Sequence, residues 1–258
     1  MKVMILCGGR GTRMKEETEF RPKPMVEVGG KPILWHIMKI FSAYGFREFI
    51  LCLGYKGNMI KEYFLNYEAM NNDFTIRLGA QHRIQLHSNH QESDWQVTLV
   101  DTGEEAGTGA RLKKASKYID GDRFMLTYGD GVADIDINKL VDFHEQEGRI
   151  GLITGVHPSS RFGELMIEDN KVLKFYEKPQ VGQGLINGGF FVFRKEFLDY
   201  VPQDDSCAME GSPLEDLTAK GELSVYKHDG FWQCVDTYRE LGVLDNLWKQ
   251  GKAPWKKW

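Results

Sequence analysis

No stretch of this 258-residue chain approaches the ~18 consecutive apolar residues that a membrane-crossing helix needs, so no membrane span is expected. The first residues lack the basic patch, apolar block and small-residue cleavage site of a secretory leader. Cysteine is scarce. Cys7, Cys52, Cys207 and Cys234 lie far apart and form no C-x-x-C pair, which argues for reduced thiols in a cytoplasmic protein over a disulfide or thiolate metal framework. The histidines, at 36, 82, 87, 90, 144, 157 and 228, show no metal-ligand spacing. No Ser/His/Asp or Cys/His set stands out. A positive excess is also missing: the net charge is −4, which excludes a generic nucleic-acid surface. With no internal repeat, low-complexity tract or Pro/Ser-rich linker, one domain over 1–258 is expected, its two halves meeting near residue 150.

The charge that is present is unevenly placed. Residues 1–31 carry seven basic side chains against four acidic ones, in a chain that is acidic overall. A local basic focus on an acidic protein suits a small anionic ligand better than a long polyanion. Its centre is L-C-G-G-R-G-T-R-M (6–14), where Gly8, Gly9, Gly11, Arg10 and Arg13 directly follow an apolar run.

The apolar pattern organises the rest. K-V-M-I-L-C (2–7), E-F-I-L-C-L (48–53), W-Q-V-T-L-V (95–100) and R-F-M-L-T-Y (123–128) read as buried strands. Between them, 31–45, 58–67 and 111–119 read as helices, the first opened by Pro32 and stopped by Gly45. This alternation predicts an α/β fold with a parallel, doubly wound sheet. After residue 150 the pattern changes to short strands at 150–156, 163–168, 171–177 and 188–193, which add mixed strands to the sheet or form a lid beside it. A helix over 237–251 closes the chain, with Thr237 and Glu240 as a capping box.

In such sheets ligands bind beyond the carboxyl ends of the strands, where the glycine turn sits. Glycine permits positive φ and lets bare N–H groups approach an anion, while arginine grips phosphate with two parallel hydrogen bonds. The P-loop pattern is absent, and Met14 stands where a dinucleotide fingerprint needs glycine or alanine. Farther on, Lys23 lies between Pro22 and Pro24 and is expected on a stiff, extended segment.

The pair of motifs, G-G-R-G-T-R at 8–13 and P-K-P-M at 22–25, closely resembles the sugar-phosphate nucleotidyltransferases. Segments at 101–112, 126–136, 161–167, 175–179, 186–193, 231–240 and the ending G-K-A-P-W-K-K-W resemble the branch of that family that charges glucose 1-phosphate with a cytidylyl group. The resemblance implies a Rossmann-like, mostly parallel mixed sheet. It also implies CTP and glucose 1-phosphate as substrates, Mg²⁺ as cofactor, and a homo-oligomer. It places Leu6, Cys7, Gly8, Gly9, Arg10, Gly11, Thr12, Arg13, Lys23, Thr108, Arg111 and Gly129 on the nucleotide. Glu177, Lys178, Asn187 and Gly188 fall on the sugar phosphate, Asp130 and Asp236 on the metal, and Arg13 and Lys23 in catalysis. A thymidylyl- or uridylyltransferase and an inactive regulatory subunit stay open beside this reading. The chain departs from the pattern at Cys7 and Arg10, where alanine and leucine are usual, in the shorter 104–110 segment, and at Ser212 before Pro213.

Overall fold

The computed structural model describes residues 1–79, 83–88, 90–158, 164–168, 171–176 and 184–258. The four N-terminal apolar runs become strands β1 (Val3–Cys7), β2 (Glu48–Leu53), β3 (Gln96–Asp101) and β4 (Arg123–Tyr128), joined through helices α1 (Ile33–Ser42), α2 (Gly57–Leu65) and α3 (Thr108–Ala115). Then come β5 (Gly131–Ala133), α4 (Ile137–Glu147), β6 (Gly151–Val156), β7 (Ile186–Asn187), β8 (Phe191–Arg194), α5 (Ser212–Ala219), β9 (Leu223–His228), β10 (Trp232–Cys234) and α6 (Tyr238–Lys249).

The main sheet runs β3, β2, β1, β4, β8, β6, with β9 on the far side of β6 and β7 pairing the C-terminal end of β6. β1 is parallel to both β2 and β4, and β2 to β3. β8 runs antiparallel to β4 and to β6. The sheet is therefore mixed and doubly wound, and its order reverses between β1 and β4, which makes that crevice the switch point where ligands bind.

The continuous apolar runs have a simple cause: both faces of the sheet are covered. Val3, Ile5 and Cys7 of β1 join one core with Ile33, Ile37 and Phe41 of α1. Met4 and Leu6 join the other with Leu112 of α3 and Leu214 and Leu217 of α5. A strand buried on both faces reads as uniformly apolar instead of alternating.

Several expectations need correction. α1 starts one residue after Pro32, which is its N-cap, and ends at Ser42 ahead of Gly45. α3 begins three residues before the expected start and gives way to a 3₁₀ turn at Ser116–Tyr118. Among the described residues the strands Glu164–Glu168 and Lys171–Tyr176 pair only with each other, so they do not extend the main sheet. α4, α5, β9 and a hairpin of Phe74–Arg77 with Arg83–Leu86 were not anticipated. The capping box at α6 is present in altered form. Thr237 Oγ1 accepts from Glu240 N, but the Glu240 carboxylate takes the N–H of Asp236 at 2.7 Å.

Candidate active site

A cavity of about 430 Å³ opens at the carboxyl ends of β1 and β4. Its walls include Leu6, Cys7, Gly8, Gly9 and Gly11 of the glycine loop, Lys23, Thr108 and Arg111, Gly129 and Asp130 after β4, and Glu210. Most residues expected on the nucleotide thus line one cleft. Thr12 and Arg13 lie beside it in an exposed 3₁₀ turn at Thr12–Met14. Arg10 pairs with Glu104 and Glu105.

The structure gives different reasons for two of the three loop glycines and none for Gly9. Gly11 alone has positive φ, +60°, and a Cβ there would lie 2.7 Å from Thr18 Cγ2. At Gly8 a Cβ would meet the Arg111 guanidinium at 2.1 Å, and at Gly54, after β2, at 2.3 Å. Gly9 is exposed, with nothing within 4 Å of a built Cβ.

Arg111, expected on the nucleotide, lines the cleft and also floors the loop. It is 4% exposed. Nη1 donates to Leu53 O (3.1 Å), Thr102 Oγ1 (2.9 Å) and Gly103 O (2.6 Å), and Nη2 to Gly8 O and Glu104 O (both 3.0 Å). Three loops are tied by one planar cation whose terminal N–H groups all have acceptors.

Lys23 stands in a single 3₁₀ turn, Lys23–Met25, so only Pro22 before it is extended. Its Nζ donates to Asp130 Oδ2 and Asp236 Oδ1, both at 2.6 Å. Arg13 Nη1 donates to Asp236 Oδ2 at 2.7 Å. A small antiparallel ribbon brings the two aspartates together: Cys234 of β10 pairs with Gly131 of β5, and Val235 N donates to Asp130 O at 2.8 Å. The Asp236 N–H is held by Glu240, so the cap of α6 also fixes this carboxylate. Burial opposes charge on Lys23 and on Asp236. The paired ions outweigh it, raising the lysine above its ordinary pKa and lowering Asp236 below the usual carboxylate value.

The donor set fits Mg²⁺. Among the described residues no group of three or more His, Cys, Asp or Glu converges, but two carboxylates already share one cation, the Lys23 ammonium. Mg²⁺ characteristically takes one or two carboxylates and completes its shell with phosphate and water. The thiols beside this site are inert: burial pushes Cys234 up to about 12 and Cys7 well above its ordinary value.

Away from the ion cluster the cavity wall changes character. Tyr128 Oη and Thr108 Oγ1 both donate to the Glu210 carboxylate, and Asn187 Nδ2 donates to Tyr128 Oη at 2.9 Å. Gly188, expected near the sugar, is buried. Its Cβ would lie 2.5 Å from Val156 Cγ1, and its carbonyl accepts from Trp232 Nε1. Glu177 and Lys178 lie outside the described residues. Sequence reasoning missed Glu210; its only signal was its place just ahead of a proline-opened helix.

The sequence pattern of the nucleotidyl transferase family matches residues 2–252. The chain belongs to this family. Among relatives of this nucleotidyl transferase, a glucose-1-phosphate cytidylyltransferase of Salmonella typhi is 49% identical over 100% of both chains. A probable glucose-1-phosphate cytidylyltransferase of Bacillus subtilis is 46% identical, again over 100% of each. A crystal structure of HddC from Yersinia pseudotuberculosis complexed with GMP-PN superposes with a TM-score of 0.69 at 25% identity, covering 96% of this chain and 99% of that one.

Proposed function

We propose that this nucleotidyl transferase moves a cytidylyl group from CTP to glucose 1-phosphate, giving CDP-glucose and pyrophosphate. The observation that carries the reading is Lys23 held between Asp130 and Asp236 at the rim of the glycine-lined cleft. It supports chemistry between polyphosphates. The end-to-end similarity to proteins named glucose-1-phosphate cytidylyltransferase supports the choice of base and sugar.

The reaction needs no protein nucleophile. A phosphate oxygen of glucose 1-phosphate forms the new bond to the α-phosphorus of CTP. The bond from that phosphorus to the bridging oxygen breaks, and pyrophosphate leaves with the electron pair. Positioning and charge stabilisation then carry catalysis. Asp130 and Asp236 would hold Mg²⁺, which supplies positive charge to the triphosphate oxygens. Lys23 places a compact cation where two anionic substrates must approach. Arg13, the more exposed cation, suits the departing pyrophosphate. The glycine loop offers backbone to the triphosphate on a floor fixed by Arg111. In this reading Asn187 belongs to the sugar side of the cleft.

A turnover panel of nucleoside triphosphates against sugar 1-phosphates, with pyrophosphate release as readout, tests the assignment. CTP with glucose 1-phosphate is expected to give the highest kcat/KM. UTP should trail by roughly tenfold to a hundredfold, because its carbonyl faces an acceptor where cytosine offers an amine. Equal or better efficiency with dTTP moves the protein to the thymidylyl-transferring branch.

A further inference from the structure

Glu210 is an anion in the wall of a cleft that must admit a triphosphate and a sugar phosphate. Among the described residues no lysine, arginine or histidine pairs with it. Its two oxygens instead accept from two hydroxyls, Thr108 Oγ1 at 2.5 Å and Tyr128 Oη at 2.7 Å. Both hydroxyls are themselves acceptors: Met209 N donates to Thr108 Oγ1 at 2.8 Å and Asn187 Nδ2 to Tyr128 Oη at 2.9 Å. Each hydroxyl proton is thereby directed onto the carboxylate. Asn187 is fixed in turn, since its Oδ1 accepts from Gly189 N at 2.9 Å. Burial and the Glu210 charge raise the Tyr128 pKa, so the phenol stays a donor.

A relay that aims every proton inward holds the carboxylate in place, yet uses only part of its acceptor capacity. Each ionised oxygen can take about two hydrogen bonds. What remains is unsuited to phosphate, because like charges repel. It can only take a hydrogen bond from an uncharged part of a substrate.

Building on the function proposed above, we infer that Glu210 is a specificity-determining residue that accepts a hydrogen bond from a neutral N–H or O–H donor of the bound substrates. Three groups offer that chemistry: the exocyclic amine of cytosine, a ribose hydroxyl and a glucose hydroxyl. Thr108, Tyr128 and Asn187 act as positioning residues for it.

The test compares wild type with Glu210→Gln in three arms. One sets CTP against UTP, one CTP against 2′-deoxyCTP, and one glucose 1-phosphate against its 2-, 3-, 4- and 6-deoxy analogues. The exposed position and the isosteric change keep the fold, which circular dichroism checks. In one arm, Glu210→Gln is expected to lose roughly tenfold or more in kcat/KM for the parent substrate, while discrimination against the analogue lacking the donor collapses to near unity. That arm identifies the donor. Ratios unchanged from wild type in every arm overturn the inference, whether or not overall activity falls, because a merely structural role lowers all substrates alike. Dissociation constants of the same ligands, read by titration calorimetry, give the ratios independently of turnover. A wild-type protein that releases no pyrophosphate therefore defeats the proposed function, while the binding arms still decide the role of Glu210.

Discussion

The two ends of the cleft are built on opposite plans. At one, Lys23, Asp130, Asp236 and Arg13 form an ion cluster in which every contact joins opposite charges. At the other, Thr108, Tyr128, Asn187 and Glu210 form a chain of neutral donors ending on one unpaired carboxylate. The first arrangement is ready to exchange its internal cation for metal and phosphate. The second is ready to add one hydrogen bond without rearranging. One end therefore suits the reacting phosphates, and the other suits recognition of what the phosphates carry.

The sharpest way to break this contrast is at the ion cluster. Asp130→Asn and Asp236→Asn should each lower turnover by on the order of a hundredfold, and the double variant should be far from additive, since either change spoils the same site. Steady-state kinetics in Mg²⁺ check this; near-normal activity in either single variant removes the shared site. Lys23 comes next. Lys23→Ala should lower kcat by roughly thirtyfold, and Lys23→Arg should not restore it, because a planar fork replaces a compact ammonium between two carboxylates. Recovery of more than half the turnover in Lys23→Arg would leave charge alone as the requirement there.

Arg111 lies beneath the glycine loop, and its loss should loosen the wall of the cleft. Arg111→Lys keeps the charge but abandons several of five acceptors. A cost of about 1.5 kcal/mol should lower Tm by about 3–6 °C. KM for CTP should rise several-fold with a smaller change in kcat, as the glycine loop loses its floor. Differential scanning calorimetry and kinetics together read this, and an unchanged Tm would show that the buried guanidinium is dispensable.

The smallest effect on turnover at neutral pH is expected from His36, far from the cleft. Its ring is 0% exposed, bonded to Val28 O at 2.8 Å and to Trp255 Nε1 at 3.3 Å. Burial, opposed by the Val28 hydrogen bond and reinforced by Lys31, lowers its pKa from 6.5 to about 4. The folded protein therefore keeps His36 neutral where the unfolded chain protonates it. Its contribution, roughly 3 kcal/mol, is fully present above pH 6.5 and lost as pH falls towards 4. Urea unfolding between pH 7 and pH 4 should show this loss, and His36→Gln should flatten it. Asp236, whose pKa is depressed, loses its own contribution only at more acid pH, so the two are separable.

The members of the ion cluster were legible through the family resemblance; alone, Lys23 between prolines, Asp130 after an apolar strand and Asp236 beside a cap suit a surface charge, a turn and a helix start as well. What could not be read was contact. The ribbon of β5 and β10 is three residues a side, too short for any period to show, yet it brings the backbones of Asp130 and Asp236 together. β1, β2 and β4 were legible because burial on both faces removes polar residues. α4 and α5 mix charged residues into their exposed sides, and neither was expected. Glu210 had no pattern because its meaning comes from Tyr128 and Thr108, dozens of residues away. The tie from Arg111 to the loop could not be read for the same reason: a guanidinium bonded to backbone carbonyls leaves no trace in the residue types it touches.

The close seating of Arg111 against Gly8 and Gly54 links three positions that are otherwise unrelated along the chain. While Arg111 stays, even alanine is closed at 8 and at 54, since the added methyl would coincide with the guanidinium. A smaller residue at 111 relieves position 8, but position 54 stays closed, since a Cβ there would also lie 2.7 Å from Gly8 O. The route through sequence space is thus ordered: the guanidinium has to leave before position 8 can change, and a side chain acquired there bars the arginine from returning.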